Sequence, residues 1–82
     1  MRYKDLVTEV RNNLDIPIFR RLREKIAYSL TEKRGYDNER SWSLAGLLIE
    51  QYANQRFKTI GQLYDHMIQK DISEEVIKLA ER

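Results

Sequence analysis

The chain of 82 residues contains no cysteine, so it cannot form disulfide bonds or thiolate metal sites. It has one histidine, one proline and three glycines, and none of the glycines belongs to a phosphate-binding motif. The longest apolar run, residues 44–49, is far shorter than the ~20 residues of a membrane-spanning helix. These absences favour a soluble, cytoplasmic protein that needs no cofactor, metal or small-molecule substrate and contacts no membrane.

Apolar residues recur at three- and four-residue steps along most of the chain, which is typical of amphipathic helices. The first stripe predicts a helix over residues 3–14. Its members are Tyr3, Leu6, Val7, Val10 and Leu14. The second stripe predicts helical structure over residues 16–34, either as one helix or as two with a bend. Its members are Phe19, Leu22, Ile26 and Leu30.

Residues that favour helix ends separate these stripes. Asp15 is expected to cap the second segment, and Gly35, after two cations, suits its end. Residues 36–41 are polar and turn-prone, so we predict a loop there. Ser41 or Ser43 is expected to cap the third helix, over residues 43–56.

The second half of the chain predicts three helices. Residues 43–56 are apolar over about two-thirds of the helix circumference, which indicates the central and most buried helix. Thr59 and Gln62 fit a capping box in front of a helix over residues 60–69. Its stripe consists of Ile60, Leu63, Tyr64, Met67 and Ile68. Ser73 is expected to cap a short last helix.

These elements predict an all-α fold. We expect a compact bundle of five or six short helices that forms a single domain over residues 1–82. Gly46 lies inside the central helix, where the absence of a side chain would let a neighbouring helix approach closely.

Catalytic or metal-binding chemistry is not indicated. His66 follows Asp65 directly, but adjacent residues on a helix point about 100° apart and do not form a positioned dyad. The adjacent Glu74 and Glu75 fall in the first turn of the last helix, where negative charge is favourable. The sequence therefore predicts that the protein is not an enzyme.

Charge is distributed unevenly although the net charge is only +2. Residues 20–34 contain six cations and two anions, whereas residues 65–82 contain five anions and three cations. Tyr28 lies on the outer face of its predicted helix, beside cations, and tyrosine and arginine often anchor interfaces. The sequence therefore identifies candidate interaction residues on a basic and an acidic surface. They are Arg20, Arg21, Lys25 and Tyr28 on the basic one, and Asp71, Glu74 and Glu75 on the acidic one.

Three interpretations of these charges remain open. The first is that they only keep the protein soluble. In the second, the basic surface binds the acidic surface of another protein, for which a second copy of the chain is one candidate. Such a head-to-tail contact between copies can repeat and form a ring or a filament. In the third, residues 20–34 bind nucleic-acid phosphates and Tyr28 stacks on a base.

Known DNA-binding motifs fit the chain poorly. A helix-turn-helix over residues 59–82 would place Glu74 and Glu75 at the start of the reading helix, where they repel phosphates. Residues 22–52 look like the helices of a ribbon-helix-helix repressor, but residues 13–19 lack the alternation of its strand. A nucleic-acid-binding subunit or transcriptional regulator is therefore the alternative hypothesis.

The order of the apolar stripes resembles the death-fold superfamily, including effector-associated death-like domains of bacteria. The similarity lies mainly in LLIEQY followed by IGQLYDHMI, and it covers nearly the whole chain. The chain departs from the family in that it lacks the RxDL-type motif of the death-effector branch. The resemblance implies six helices and a non-enzymatic adaptor that binds similar domains through oppositely charged patches and often assembles helically.

Overall fold

The structure is a computed structural model that describes residues 3–81, with side chains from Leu6 onward. Five α-helices, and no strand, make up the regular structure within this range. They are α1 (Tyr3–Asn12), α2 (Pro17–Arg34), α3 (Asn38–Arg56), α4 (Ile60–Gln69) and α5 (Ser73–Ala80). The all-α prediction is confirmed. Residues 17–34 form one helix, so the described residues contain five helices where the resemblance to the death fold implied six.

The helices enclose one hydrophobic core, to which each of them contributes. The predicted position of α3 at its centre is confirmed, because α1, α2 and α5 all pack against this helix. The core consists of Leu6, Val10, Leu14, Phe19, Leu22, Ile26, Leu30, Ala45, Leu48, Ile49, Tyr52, Ala53, Leu63, Ile72 and Val76. Full burial of a large apolar side chain contributes about 1.5–3 kcal/mol, so this set is the main source of stability.

The first predicted stripe is largely confirmed. Leu6, Val10 and Leu14 are buried, although α1 ends at Asn12 and Leu14 lies in the connection that follows. Val7 is partly buried, and the side chain of Tyr3 lies outside the part of the chain for which side chains are described.

Gly35 ends α2 as predicted. It has a positive φ of 71°, a conformation that glycine adopts without strain, and its N–H donates to the Thr31 carbonyl. The predicted cap at the other end is wrong. The residue before the helix is Ile16, and no side chain caps it. Pro17 begins the helix, and its missing N–H leaves one fewer donor to satisfy there.

The third helix begins earlier than predicted. Asp37 accepts a hydrogen bond from the Arg40 N–H at 2.7 Å and is the cap. The predicted loop over residues 36–41 is therefore confined to Tyr36 and Asp37, and the predicted serine caps are wrong. An aspartate combines a good capping geometry with a negative charge at the positive helix end. Ser41 is instead buried inside α3, where its Oγ accepts a hydrogen bond from the Thr31 hydroxyl.

The predicted cap is confirmed for α4 and is wrong for α5. Thr59 Oγ1 accepts from the Gln62 N–H at 3.3 Å, as predicted, while the Gln62 side chain accepts from the Lys58 N–H. Ser73 is not a cap but the first residue of α5. Its N–H donates to Asp71 Oδ1 at 2.9 Å, so Asp71 satisfies the helix end that Ser73 was expected to satisfy.

Candidate interaction surface

The outward side of α2 contains the predicted basic residues and an exposed aromatic ring. Phe19, Leu22, Ile26 and Leu30 turn the other side of this helix into the core. Tyr28 is 69% exposed, the most exposed of the large apolar side chains that the structure describes. We name the exposed residues Arg21, Lys25, Tyr28 and Glu32 the α2 outer face.

An ion pair joins the predicted basic and acidic residues within one molecule. Lys25 Nζ lies 2.7 Å from Asp71 Oδ2, because the start of α5 packs beside α2. This bond, with hydrogen bonds from Ser73, lowers the pKa of Asp71 to about 2. The two sets of residues therefore adjoin, and the expectation that they occupy separate surfaces is wrong for Lys25 and Asp71.

Glu75 is held by groups of its own molecule. Its Oε2 lies 2.7 Å from Lys70 Nζ, and its Oε1 accepts a hydrogen bond from the Tyr52 hydroxyl at 3.1 Å. Lys70, followed by Tyr52, lowers the pKa of this carboxyl, although partial burial opposes the shift. Burial, together with the neighbouring Glu75 carboxylate, raises the pKa of the Tyr52 hydroxyl. Glu75 therefore fixes α5 to α3 and is less available to a partner.

The remaining predicted residues differ in how well their charges are compensated. Arg20 lies 3.5 Å from Glu24 in an exposed pair one turn apart on α2. Arg21 and Glu74 are both exposed, and neither forms a salt bridge with any residue between Leu6 and Glu81. Glu32 on the α2 outer face is likewise without a salt bridge in that range. These three charges remain available to another molecule.

A groove of about 370 Å³ runs beside the α2 outer face, between α2 and the end of α4. Leu22, Met67 and Ile68 line its apolar part, and Arg21, Lys25 and Asp71 line its polar part. Ile68 is 67% exposed. A cluster of apolar side chains with a charged edge is the usual composition of a protein-binding surface.

A second groove, also of about 370 Å³, lies on the opposite side of Tyr28. Glu24 and Glu32 contribute negative charge to it, and Trp42 on α3 contributes an aromatic ring. Arg23 lies over that ring, 4.3 Å from its centroid, and its Nε donates to the Trp42 carbonyl. The α2 outer face is therefore bordered by a predominantly basic groove and an acidic one.

Two residues of this surface, Ile68 and Glu32, are not among the interaction residues predicted from the sequence. Ile68 fits the apolar stripe of α4, but the core covers only part of this stripe. Leu63 is the one residue of α4 that is buried. The sequence does contain a signal for Glu32, because this residue lies four positions after Tyr28 and therefore on the same side of α2.

His66 contacts an aromatic ring and not its acidic neighbour. The His66 ring packs against Phe57 with 5.4 Å between ring centroids, and no hydrogen bond links His66 to Asp65. Within residues 6–81, no three His, Cys, Asp or Glu side chains are placed to hold a metal ion. No helix in the described part of the chain is long and apolar enough to cross a membrane.

Comparisons with known proteins identify no relative. No family model matches the chain, and neither a curated protein nor a solved structure matches it. What is established about the fold is therefore a compact five-helix all-α domain, without assignment to a family.

Proposed function

We propose that this chain is a non-enzymatic protein–protein interaction module of the adaptor type, and that a second copy of the chain is its partner. The observation that supports this most directly is the surface around α2, where two-thirds-exposed Tyr28 and Ile68 lie among charges of both signs. Exposed aromatic residues and arginine beside apolar groups are the residue types that most often anchor protein interfaces.

The mixture of charges favours self-association. The Lys25–Asp71 pair places a cation and an anion on one surface, while Arg21, Glu32 and Glu74 are not engaged in salt bridges within the described residues. A surface with both signs of charge can be complementary to itself, whereas a surface of one sign repels its own copy.

The resemblance to death-like domains agrees with this proposal. Members of that superfamily are adaptors that bind similar domains through charged patches, which is the behaviour proposed here. Only the compact all-α fold has structural support, whereas the number of helices in the described residues differs from the six that the resemblance implies. Membership of the superfamily, like a cytoplasmic location, stays a prediction.

Nucleic-acid binding ranks second because the α2 surface is less basic than the sequence suggests. Arg20 and Lys25 are each paired with a carboxylate, Glu24 and Asp71 respectively. Glu32 also lies on this side of the helix and would repel phosphates. The hypothesis predicts an affinity for single- or double-stranded nucleic acid that falls steeply with salt.

Light-scattering mass across protein concentration, at low and high salt in nucleic-acid-free buffer, tests self-association. We expect the mass to rise above that of a monomer with concentration, and the rise to shrink in high salt. Arg21→Glu should weaken association and retain the helical circular dichroism of the wild type. Arg21 is a better choice than Lys25, since changing Lys25 also breaks its bond with Asp71.

A matched control is Lys58→Glu, which makes the same charge change at an exposed position in the connection between α3 and α4. It should associate like the wild type. Equal weakening by both variants would indicate a general charge effect and contradict an interface at α2. A mass that stays monomeric at every concentration would contradict self-association itself.

A further inference from the structure

The four residues of the α2 outer face follow a regular spacing. Arg21, Lys25, Tyr28 and Glu32 are separated by four, three and four positions. At ~100° per residue they fall in a sector about 60° wide, on the side of α2 away from its buried residues. Residues spaced in this way form the contact line of paired helices. The α2 outer face therefore has the periodicity of a helix-pairing surface, although its residues are polar and aromatic.

The order of these four residues makes the α2 outer face complementary to a second copy of itself that runs in the opposite direction. Arg21 and Glu32, of opposite charge, are equally distant from the midpoint of the line, which falls between Ile26 and Ala27. Lys25 and Tyr28 are also equally distant from that midpoint. A second copy of the line in the opposite direction therefore brings unlike groups together at each of the four positions.

We propose that two copies of this chain associate through their α2 outer faces, with the two helices antiparallel about a two-fold axis between Ile26 and Ala27. This inference rests on the proposed function, for which it specifies the contact geometry. Arg21 of each copy faces Glu32 of the other. Lys25 of each copy faces Tyr28 of the other, where a cation and an aromatic ring attract each other. The two-fold axis repeats both contacts, so each occurs twice.

Exposure and charge in the free molecule agree with this arrangement. All four side chains are exposed, and neither Arg21 nor Glu32 forms a salt bridge with another described residue. Lys25 keeps 53% of its side chain exposed although it is paired with Asp71, so its stem can still contact a ring. Ile68 lines the adjoining groove together with Arg21 and Lys25, and a second copy on α2 would shield it from water.

Other orientations of the same two helices are less favourable. A parallel pair would place Arg21 against Arg21 and Glu32 against Glu32, and like charges in an interface cost free energy. A head-to-tail contact between a basic and an acidic surface is weakened by the ion pairs that Lys25 and Glu75 form within one molecule. The antiparallel pair uses Arg21 and Glu32, neither of which forms a salt bridge with another described residue.

Charge exchange tests the geometry. Arg21→Glu places two carboxylates together at both ends of the pair, and Glu32→Arg places two cations together there. We expect each variant to weaken the dimer by at least about ten-fold, equivalent to about 1.4 kcal/mol. The double variant, with both substitutions in one chain, should associate like the wild type, because it restores unlike charges at both ends. Sedimentation across concentration measures all four proteins as full chains.

A mixture of the two single variants provides the most specific measurement. In a heterodimer of Arg21→Glu and Glu32→Arg, both end contacts join unlike charges, although neither variant pairs well with itself. Native mass spectrometry of the mixture should therefore show predominantly the heterodimer. Circular dichroism of each variant establishes that it has folded, and Lys58→Glu again serves as the charge-matched control for Arg21→Glu.

The outcomes separate this inference from the proposed function. A wild-type dimer whose single variants are weakened, and whose double variant and mixture are restored, supports antiparallel pairing. A wild-type dimer that is not restored by the double variant or by mixing contradicts the antiparallel geometry and leaves self-association in place. A wild-type chain that stays monomeric contradicts both.

Discussion

Arg11 and Glu50 form a two-point ion pair between α1 and α3. Arg11 Nη2 lies 2.9 Å from Glu50 Oε1, and Arg11 Nε donates to Glu50 Oε2 at 3.2 Å. The glutamate side chain is only 9% exposed, whereas the arginine is 61% exposed. The pairing raises the pKa of Arg11. Nearly buried Glu50 therefore depends on one residue near the end of α1 to satisfy both of its oxygens.

Arg11→Met should destabilise the protein markedly, because it leaves a nearly buried carboxylate without its two donors. The reference variant is Arg20→Met, which breaks the exposed pair between Arg20 and Glu24. Exposed pairs contribute little, so this variant should be close to the wild type in urea unfolding. Equal unfolding midpoints for the two variants would contradict the importance of Glu50 burial.

Gly46 gives a second prediction, since Arg23 occupies the space beside it. A Cβ at Gly46 would lie 2.9 Å from Arg23 Nη2 and 3.0 Å from Arg23 Cζ. The guanidinium is held in place by the Trp42 ring and carbonyl. Gly46→Ala gains about 1 kcal/mol of helix propensity but must displace Arg23 from a hydrogen bond and a cation–π contact, each worth about 1 kcal/mol. We expect a net loss of about 1 kcal/mol in chemical unfolding.

The control for Gly46 is the same substitution in an Arg23→Ala background. There the obstructing side chain is absent, so Gly46→Ala should stabilise the protein by about 1 kcal/mol through helix propensity alone. A stabilising effect in both backgrounds would mean that Arg23 moves aside without loss.

Helix positions could be predicted from the sequence because they depend on local spacing. The α4 bounds agree with the predicted residues 60–69, and Gly35 ends α2 as expected. Helix starts were less accurate. Asp37 and Asp71 accept hydrogen bonds from the Arg40 and Ser73 N–H groups at the two helix starts where serine caps were expected. Several polar residues near a helix start compete for one position, and the choice among them depends on the path of the chain.

The candidate surface could be predicted only in part. The exposure of Tyr28 follows from its position on α2, and the structure agrees. Leu47 and Ile68 fit apolar stripes but are 57% and 67% exposed. Periodicity shows which residues share one side of a helix. How many of them are buried depends on the neighbouring helices that pack there. The Lys25–Asp71 bond joins residues 46 positions apart, so it follows from the packing of α5 on α2 rather than from local sequence.

The contribution of the Lys25–Asp71 ion pair to stability can be measured through its dependence on pH. Asp71→Asn removes the negative charge but keeps an oxygen that can accept from the Ser73 N–H, so it isolates the ion pair with Lys25 from the helix cap. The pKa of Asp71 is lowered by folding from 3.8 to about 2. Its contribution is therefore fully present above pH 3.8 and is lost as the pH falls through about 2.

Because both side chains of the pair are about half exposed, Asp71→Asn should cost no more than ~1 kcal/mol at pH 7. The difference between wild type and variant should shrink between pH 4 and pH 2, since protonation of Asp71 then removes the same charge from the wild type. Urea unfolding at pH 7, 4, 3 and 2 measures this difference. In a Lys25→Met background the substitution should cost less at pH 7, because the cation it pairs with is gone. A difference that stays constant down to pH 2 would show that the ion pair does not contribute to the stability of the fold.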